Sequence, residues 1–194
     1  MEFRDERRTA VIIASGPSAA EADLSLLEGW PVIAVNDCWR LYPADVLYAC
    51  DEQWWNRYHR ETEIFRGQRW TQSREAAKRY GLYHIEGQHG SGFSTRRGLI
   101  KYNWNSGAQA MQLGWQLGAR RFVLIGFDMQ PVDGKVHWFG DHPRGLINES
   151  PWQMFISAFE VIAKDCQELG IEVINTSRIS KLTCFSRASL TEAL

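Results

Sequence analysis

The clearest chemical signal in the sequence is a small polar turn that follows directly after a β-branched run. Residues 11–18 read Val-Ile-Ile-Ala-Ser-Gly-Pro-Ser, and Glu21 comes three positions after Ser18, which is typical of a capping box at a helix start. Backbone N–H groups at a helix start point back towards the turn and favour an anion there. We therefore predict that this turn contacts phosphate, while an ordinary strand-to-helix connection would use similar residues. The predicted contacts are Ser15, Gly16, Pro17 and Ser18.

A second helix start repeats this logic. Asn105 or Ser106 is placed to cap a helix, and Gly107 leaves room for a ligand to approach the backbone. A nucleotide monophosphate or diphosphate could span the two helix starts without a phosphate-loop lysine. The sequence has no GxxxxGK[ST] motif and no GxGxxG motif after a strand, which disfavours P-loop kinases and dinucleotide dehydrogenases. A plain N-cap is the alternative for Asn105 and Ser106.

Two histidines are candidates for proton transfer. His137 and His142 lie in a glycine- and proline-containing segment with Asp128, Asp133 and Asp141. Imidazole is the side chain best suited to proton transfer near neutral pH, so we predict a catalytic group of His142, His137 and Asp128. Solvated surface histidines would give the same pattern. Their five-residue spacing does not match a zinc signature.

Two carboxylates suggest an alternative that uses a metal ion. Asp51 and Asp128 each follow an apolar run, and together they could hold Mg²⁺ on the phosphates of a nucleotide. We predict that no cofactor is required, and Mg²⁺ at these two residues is the alternative.

The elements that must position these residues alternate along the chain. Apolar runs are separated by intervals long enough for a helix, which predicts an α/β fold: a Rossmann-like three-layer sandwich with a mostly parallel sheet and helices on both faces. The predicted strands cover 11–14, 32–35, 46–49, 122–125 and 172–174. The predicted helices cover 18–27, 51–61, 106–117 and 151–169.

Ligands of open parallel sheets bind beyond the carboxyl ends of the strands. Small, polar or acidic residues follow all five runs, which adds Asn36, Asp51 and Ser177 to the predicted nucleotide contacts. The segments 87–104 and 127–150 are long and glycine-containing, and we predict that they are functional loops. Four tryptophans in polar context are predicted cleft walls: Trp54, Trp55, Trp104 and Trp138.

Composition limits the classes of function. The 194 residues predict a single domain, 1–194, and the net charge of −1 gives no reason to expect duplex nucleic acid as a partner. The N-terminal residues lack an apolar signal core and no run approaches about 20 apolar residues, so we expect a cytoplasmic protein without a membrane partner. The four cysteines contain no CxxC pair and are expected to be buried, reduced thiols.

The order of these motifs resembles glycosyltransferase family 42, the bacterial sialyltransferases. It also resembles the related DUF115 proteins, which include flagellin glycosyltransferase-like enzymes, archaeal hydroxymethylpterin diphosphokinases and small bacteriophage proteins. The resemblance covers about 11–185. Its motifs are Gly16-Pro17-Ser18 after the first run, Val35-Asn36, Asn105-Ser106-Gly107, residues 124–129 and residues 171–177.

This resemblance implies an inverting glycosyltransferase that takes a nucleotide-sugar donor, with a cytidine nucleotide favoured, and an unidentified hydroxyl acceptor. It implies that His142 removes the proton of the acceptor hydroxyl and that Asp128 faces the ligand. Nucleotide contacts are implied for Ser15, Gly16, Pro17, Ser18, Asn36, Asn105, Ser106 and Gly107. A homo-oligomer is possible.

The sequence also departs from that family. Asp51 stands near a position where the sialyltransferases use asparagine, and the segment available for an acceptor lid, 60–98, is short. These departures leave two alternatives open. One is a Mg²⁺-dependent diphosphotransferase of the hydroxymethylpterin diphosphokinase type, and the other is a nucleotide-binding module without catalysis.

Overall fold

A computed structural model describes residues 5–146 and 150–194, and its centre is an eight-stranded sheet in which every pair of neighbours is parallel. The strand order is β10-β9-β8-β1-β2-β3-β4-β5, and β6 and β7 form a separate parallel ladder. The strands are β1 (Thr9–Ile13), β2 (Val32–Val35), β3 (Val46–Tyr48), β4 (Gln68–Thr71), β5 (Tyr83–His84), β6 (Glu86–Gln88), β7 (Leu99–Lys101), β8 (Arg121–Ile125), β9 (Glu172–Asn175) and β10 (Ser186–Arg187).

Helices cover both faces of this sheet, because successive side chains of a buried strand point to opposite sides. Ile12 of β1 lies in a core cluster with Met111 and Phe159, whereas Val11 and Ile13 lie in a second cluster. The predicted fold class, a Rossmann-like α/β sandwich, is confirmed. The α-helices are α1 (Glu52–Tyr58), α2 (Arg74–Tyr80), α3 (Ser106–Gln116), α4 (Trp152–Glu168) and α5 (Leu190–Ala193). Short 3-10 helices cover Pro17–Glu21, Leu24–Leu27, Asn36–Arg40 and Glu61–Ile64.

The predicted helix at 18–27 is wrong. The segment forms two 3-10 turns, because the residues of the expected capping box bond elsewhere. The Ser18 hydroxyl donates to Asp128, and Glu21 pairs with Arg178 at 2.5 Å. Neither side chain is therefore left to start an α-helix, and the run ends after one turn.

Two other predictions need correction. The helix predicted at 51–61 ends at Tyr58, and Trp55 is fully buried against the sheet, so it is no cleft wall. Trp54 is 2% exposed and packs mainly in the same cluster as Trp55. The predictions also missed β4 and the two edge strands, β5 and β10, because their sequences are short and mostly polar and carry no apolar period. The β6–β7 ladder was missed as well.

Three glutamines on one side of α3 hold the segment that precedes this helix. Gln112 accepts from the N–H groups of Ser94 and Lys101 at 3.1 and 2.9 Å. Gln116 donates to the Arg96 carbonyl at 2.8 Å, and Gln109 donates to the Tyr102 carbonyl at 2.6 Å. Each amide replaces backbone partners that a sheet would otherwise supply, so much of the irregular 87–104 segment is fixed against α3.

The topology places a crevice between β1 and β8. The chain leaves β1 towards β2 on one side, and β8 continues to β9 on the other, so the connections run apart at this point. Such a switch point is where open α/β sheets bind ligands. The two turns here pack closely, since a Cβ on Gly126 would lie 2.3 Å from the Ala14 carbonyl oxygen, and a Cβ on Gly16 would lie 2.4 Å from the Gly126 oxygen.

Gly126 and Gly134 give a matched test of this close packing. Both have a φ of +75°, but a Cβ on Gly134 would meet nothing within 4 Å. We expect Gly134→Ala to cost about 1 kcal/mol of unfolding free energy from backbone strain alone. Gly126→Ala should cost several times more, because backbone must move. Equal losses in urea denaturation would show that the turns of β1 and β8 are not tightly coupled.

Candidate functional site

A cleft of about 760 Å³ lies at the carboxyl ends of the central strands. Its floor comes from the turns after β1, β2 and β8, and its walls come from the start of α3 and from the segments on either side of residues 147–149. Most of the predicted site residues line it, although they are far apart in sequence. These are Ser15, Gly16, Asn36, Asp51, Asn105, Ser106, Gly107, Asp128, His137 and His142.

Three predicted nucleotide contacts do not line this cleft: Pro17, Ser18 and Ser177. Pro17 and Ser18 are buried in the first 3-10 turn. Ser177 is 2% exposed, and its hydroxyl accepts from the Phe127 N–H at 2.7 Å. Ser177 therefore stabilises the turn after β8 and does not contribute to the cleft lining.

Asp128 binds the turn that was predicted to hold phosphate. It is 1% exposed, and its oxygens accept from both the N–H and the hydroxyl of Ser18, the N–H at 2.8 Å. Burial raises the pKa of Asp128, while the bonds from Ser18 lower it. The carboxylate thus occupies the anion position of the Ser-Gly-Pro-Ser turn, which explains why this turn needs no ligand to be satisfied.

The start of α3 is the better anion position. Asn105 caps the helix by accepting from the Ala108 N–H at 3.1 Å. Among the described residues, no hydrogen bond uses the N–H of Ser106 or Gly107, as expected for the first turn of a helix. Gly107 has no room for a side chain, because a Cβ would lie 2.9 Å from the Phe127 ring. Both residues line the cleft at the positive end of an 11-residue helix.

The two histidines also line the cleft, and they lie together. Their ring centroids are 4.6 Å apart, and His137 stacks on Phe139 at 5.1 Å. Burial lowers the pKa of both rings, and His142 lowers that of His137 further. Asp141 and Asp37 act in the opposite direction. Burial therefore favours the neutral form of both rings, the form in which imidazole accepts a proton.

Trp104 stands at the mouth of the cleft on a strained backbone. Asn103 and Trp104 have φ values of 48° and 52°, which side chains other than glycine rarely adopt. The fully buried Asn103 amide holds this geometry through bonds to Gly92 and to the Lys101 carbonyl. The result is an indole that is 48% exposed, lining the cleft two residues before the α3 start, as predicted for a cleft wall.

No lysine or arginine lines the cleft within the described ranges 5–146 and 150–194. The same ranges contain no group of three or more His, Cys, Asp or Glu side chains placed to hold a metal ion. The charges that a phosphate ligand would meet are therefore Asp51, Asp128 and the positive end of α3. No helix in the described part of the chain is long and apolar enough to cross a membrane.

Several cleft residues were missing from the predictions. Tyr102, Met129 and Trp152 lie in segments assigned to loops or to a helix start, and Gln109 is buried on α3. The spacing of Gln109, Gln112 and Gln116 was an available signal, because it puts three amides along one side of a helix. Such buried amides must have partners, and here those partners shape the cleft wall.

Solved structures of sialyltransferases have the same fold. The sialyltransferase CstII from Campylobacter jejuni, in complex with the substrate analogue CMP-3FNeuAc, is 13% identical with a TM-score of 0.61, over 96% of this chain and 88% of that chain. A sialyltransferase CST-II variant in complex with CMP is 14% identical with a TM-score of 0.60, over 92% of this chain and 84% of that chain. No protein-family model and no curated protein sequence matches the chain. At these identities the likeness establishes a sialyltransferase-like fold.

The lowered histidine pKa values predict how stability changes with pH. A ring whose folded pKa lies below its ordinary 6.5 binds fewer protons than in the unfolded chain, so unfolding becomes easier as pH falls below 6.5. We expect the melting temperature to decrease as the pH is lowered from 7.5 to 5.5. The double variant His137→Gln/His142→Gln should show a smaller decrease. His84→Gln, at the exposed sheet edge, is the control. An unchanged pH slope in the double variant would contradict the assignment.

Proposed function

We propose that this chain is an inverting, nucleotide-sugar-dependent glycosyltransferase of the family 42 type, with a CMP-type donor. The observation that carries the proposal is that one cleft is lined both by the α3 start, with its N–H groups unused within the described residues, and by two histidines whose pKa values are lowered by burial. The fold is that of proteins whose solved structures hold CMP and CMP-3FNeuAc, which supports the choice of nucleotide.

The donor phosphate binds at the first turn of α3. The N–H groups of Ser106 and Gly107 donate to its oxygens, and the helix dipole offsets part of its charge. Ser15, Gly16 and Asn36 border the nucleoside from the turns after β1 and β2. Asp128 acts as a positioning residue, because it fixes the Ser18 turn against the turn after β8.

His142 is the general base of the transfer. The acceptor oxygen attacks the anomeric carbon of the donor sugar, its proton passes to the His142 ring, and the bond from the anomeric carbon to the phosphate oxygen breaks. The configuration inverts because attack and departure occur on opposite faces of the sugar. The leaving phosphate carries the electron pair away and is stabilised by the α3 N–H groups, which are preorganised for negative charge.

The two alternatives give different binding results. A diphosphotransferase would need Mg²⁺ held by Asp51 together with substrate phosphates, since both oxygens of Asp128 are engaged by Ser18. A binding module would retain nucleotide affinity without turnover. Asp51 lines the cleft, so metal dependence has to be measured directly.

Nucleotide binding tests the proposal. A ligand that binds only the folded state stabilises it by about 2.7 kcal/mol at 100-fold excess over Kd. We therefore expect CMP to raise the melting temperature without Mg²⁺, and by more than UDP, GDP or ATP. Ser106→Asp should abolish this shift because the carboxylate repels the phosphate. The variant should still fold, since an acidic side chain stabilises a helix start. Ser106→Asn is the neutral control. A Mg²⁺-dependent shift with ATP alone, or no shift with any nucleotide, would refute the proposal.

His142→Gln separates catalysis from binding. We expect CMP affinity within about twofold of the wild type and a loss of transfer of about 10²-fold or more, as for removal of a general base. Wild-type turnover should fall as pH drops below the lowered pKa of the ring. Transfer at the wild-type rate in His142→Gln would show that His142 is not the general base. His137→Gln is the matched variant on the neighbouring ring.

The position of Trp104 in the cleft predicts a contact between its ring and the transferred sugar. Its half-exposed ring lines the cleft two residues before the proposed phosphate position, so we infer that it packs against the transferred sugar. We expect Trp104→Ala to weaken CMP-3FNeuAc about tenfold and to leave CMP unchanged in titration calorimetry, with Tyr83→Ala, an exposed aromatic outside the cleft, as control. Equal loss for both ligands would place Trp104 against the nucleotide instead.

A further inference from the structure

A second cleft of about 570 Å³ opens beside the first. It is formed by the 3-10 turn after β2, by α1 and by the end of the segment before residues 147–149. Its lining residues are Asn36, Asp51, Glu52, Gln53, Trp54, Asn56, His142 and Leu146. Five of these residues line only the second cleft: Glu52, Gln53, Trp54, Asn56 and Leu146.

The two clefts meet at three residues, Asn36, Asp51 and His142. A base that takes a proton from an acceptor must contact the acceptor on one side and the reacting sugar on the other. His142 is the histidine that lines both spaces, whereas His137 lines only the first. An acceptor in the second cleft would therefore approach the donor across the His142 ring.

The lining of the second cleft has the mixed character of a sugar site. Gln53 and Asn36 offer amides, and the edge of Trp54 and the side chain of Leu146 offer apolar surface. The Asn36 Oδ1 is buried and has no hydrogen-bond partner among the described residues. An amide oxygen in that position is satisfied by a hydroxyl or amine donor of a ligand.

The charge of the lining selects among sugars. Glu52 is paired with Arg79 at 3.2 Å, and the Asn56 oxygen accepts from Arg79 and Tyr80 at 3.0 and 2.6 Å, so this wall is fixed and its charge is compensated. Asp51 belongs to no ion pair within the described ranges. No lysine or arginine lines the space there either. A carboxylate on the ligand would face Asp51 without a compensating cation.

We propose that the second cleft is the acceptor site and takes a neutral or amine-bearing glycoside while rejecting one that carries a carboxylate. This inference rests on the proposed function and adds to it the chemical class of the acceptor. Asp51 determines the charge preference, and Gln53 and Leu146 shape the space.

Three glycosides test the charge preference: a neutral parent and two relatives that each differ from it in one group. Methyl β-D-glucoside, the glucosaminide and the glucuronide are titrated into protein saturated with CMP, and binding is measured by saturation-transfer NMR. We expect the glucosaminide and the glucoside to bind at least about tenfold more tightly than the glucuronide. Asp51→Asn should remove most of the difference. A glucuronide that binds best, or absence of binding for all three, overturns the proposal.

A blocking variant tests the location. Gln53 is exposed on α1 and lines the second cleft only, so Gln53→Trp should fill that space, abolish glycoside binding and leave CMP affinity unchanged. Gln167→Trp, on the exposed side of α4, is the matched control. Unchanged glycoside binding in Gln53→Trp places the acceptor elsewhere and overturns this inference. Absence of CMP binding in the wild type instead overturns the donor proposal, so the two failures are distinguishable.

Discussion

The close packing of two turns at the centre of the sheet is the constraint on which the cleft depends. The N–H of Gly16 donates to the Gly126 carbonyl at 3.0 Å, and the N–H of Ala14 donates to the Ile125 carbonyl at 2.8 Å. The bonds between Ser18 and Asp128 continue this contact two residues further along each turn. Side chains larger than hydrogen at Gly16 or Gly126 would separate the turns, and every cleft residue carried by β1 and β8 would move with them.

The second support of the cleft is a network of buried amides. Gln109, Gln112 and Gln116 pair with backbone groups of the segment before α3, and the Gln109 oxygen also accepts from the Tyr48 hydroxyl at 2.6 Å. Networks of this kind stabilise one arrangement only when every member has a partner. Here the network ties β3, the segment before α3 and α3 itself together, while the Asn103 amide holds the strained backbone at Trp104 between β7 and α3.

The sequence was informative where a local rule decides the structure. The apolar runs of β1, β2, β8 and β9 and the long helix α4 could be predicted because each buries a continuous face. The positions after the strands predicted that Asn36 and Asp51 lie at one edge of the sheet, since parallel strands bring their ends together, and both residues line the cleft. The predictions failed where a polar group has a choice of partners.

Ser18 illustrates this limit. Its hydroxyl and N–H suit a helix cap, a phosphate or a carboxylate equally well, and only the position of Asp128, 110 residues later, decides among them. Ser177 is the same case, since its hydroxyl is used by Phe127. Sequence patterns indicate which partners a polar group can bond, whereas the fold determines which of them lies within bonding distance.

The charge distribution of the cleft explains how its two sides would work together. Burial favours the neutral form of His142, and Asp37, Asp51 and Asp141 offset part of that effect. A lysine or arginine in the cleft would bind phosphate more strongly, but it would also lower the pKa of this ring further and weaken it as a base. In the proposed donor complex, the helix N–H groups would bind the phosphate without placing a full positive charge beside the ring. In the proposed transfer, the phosphate would gain negative charge in the same cleft in which the His142 ring gains a proton, so each change would stabilise the other.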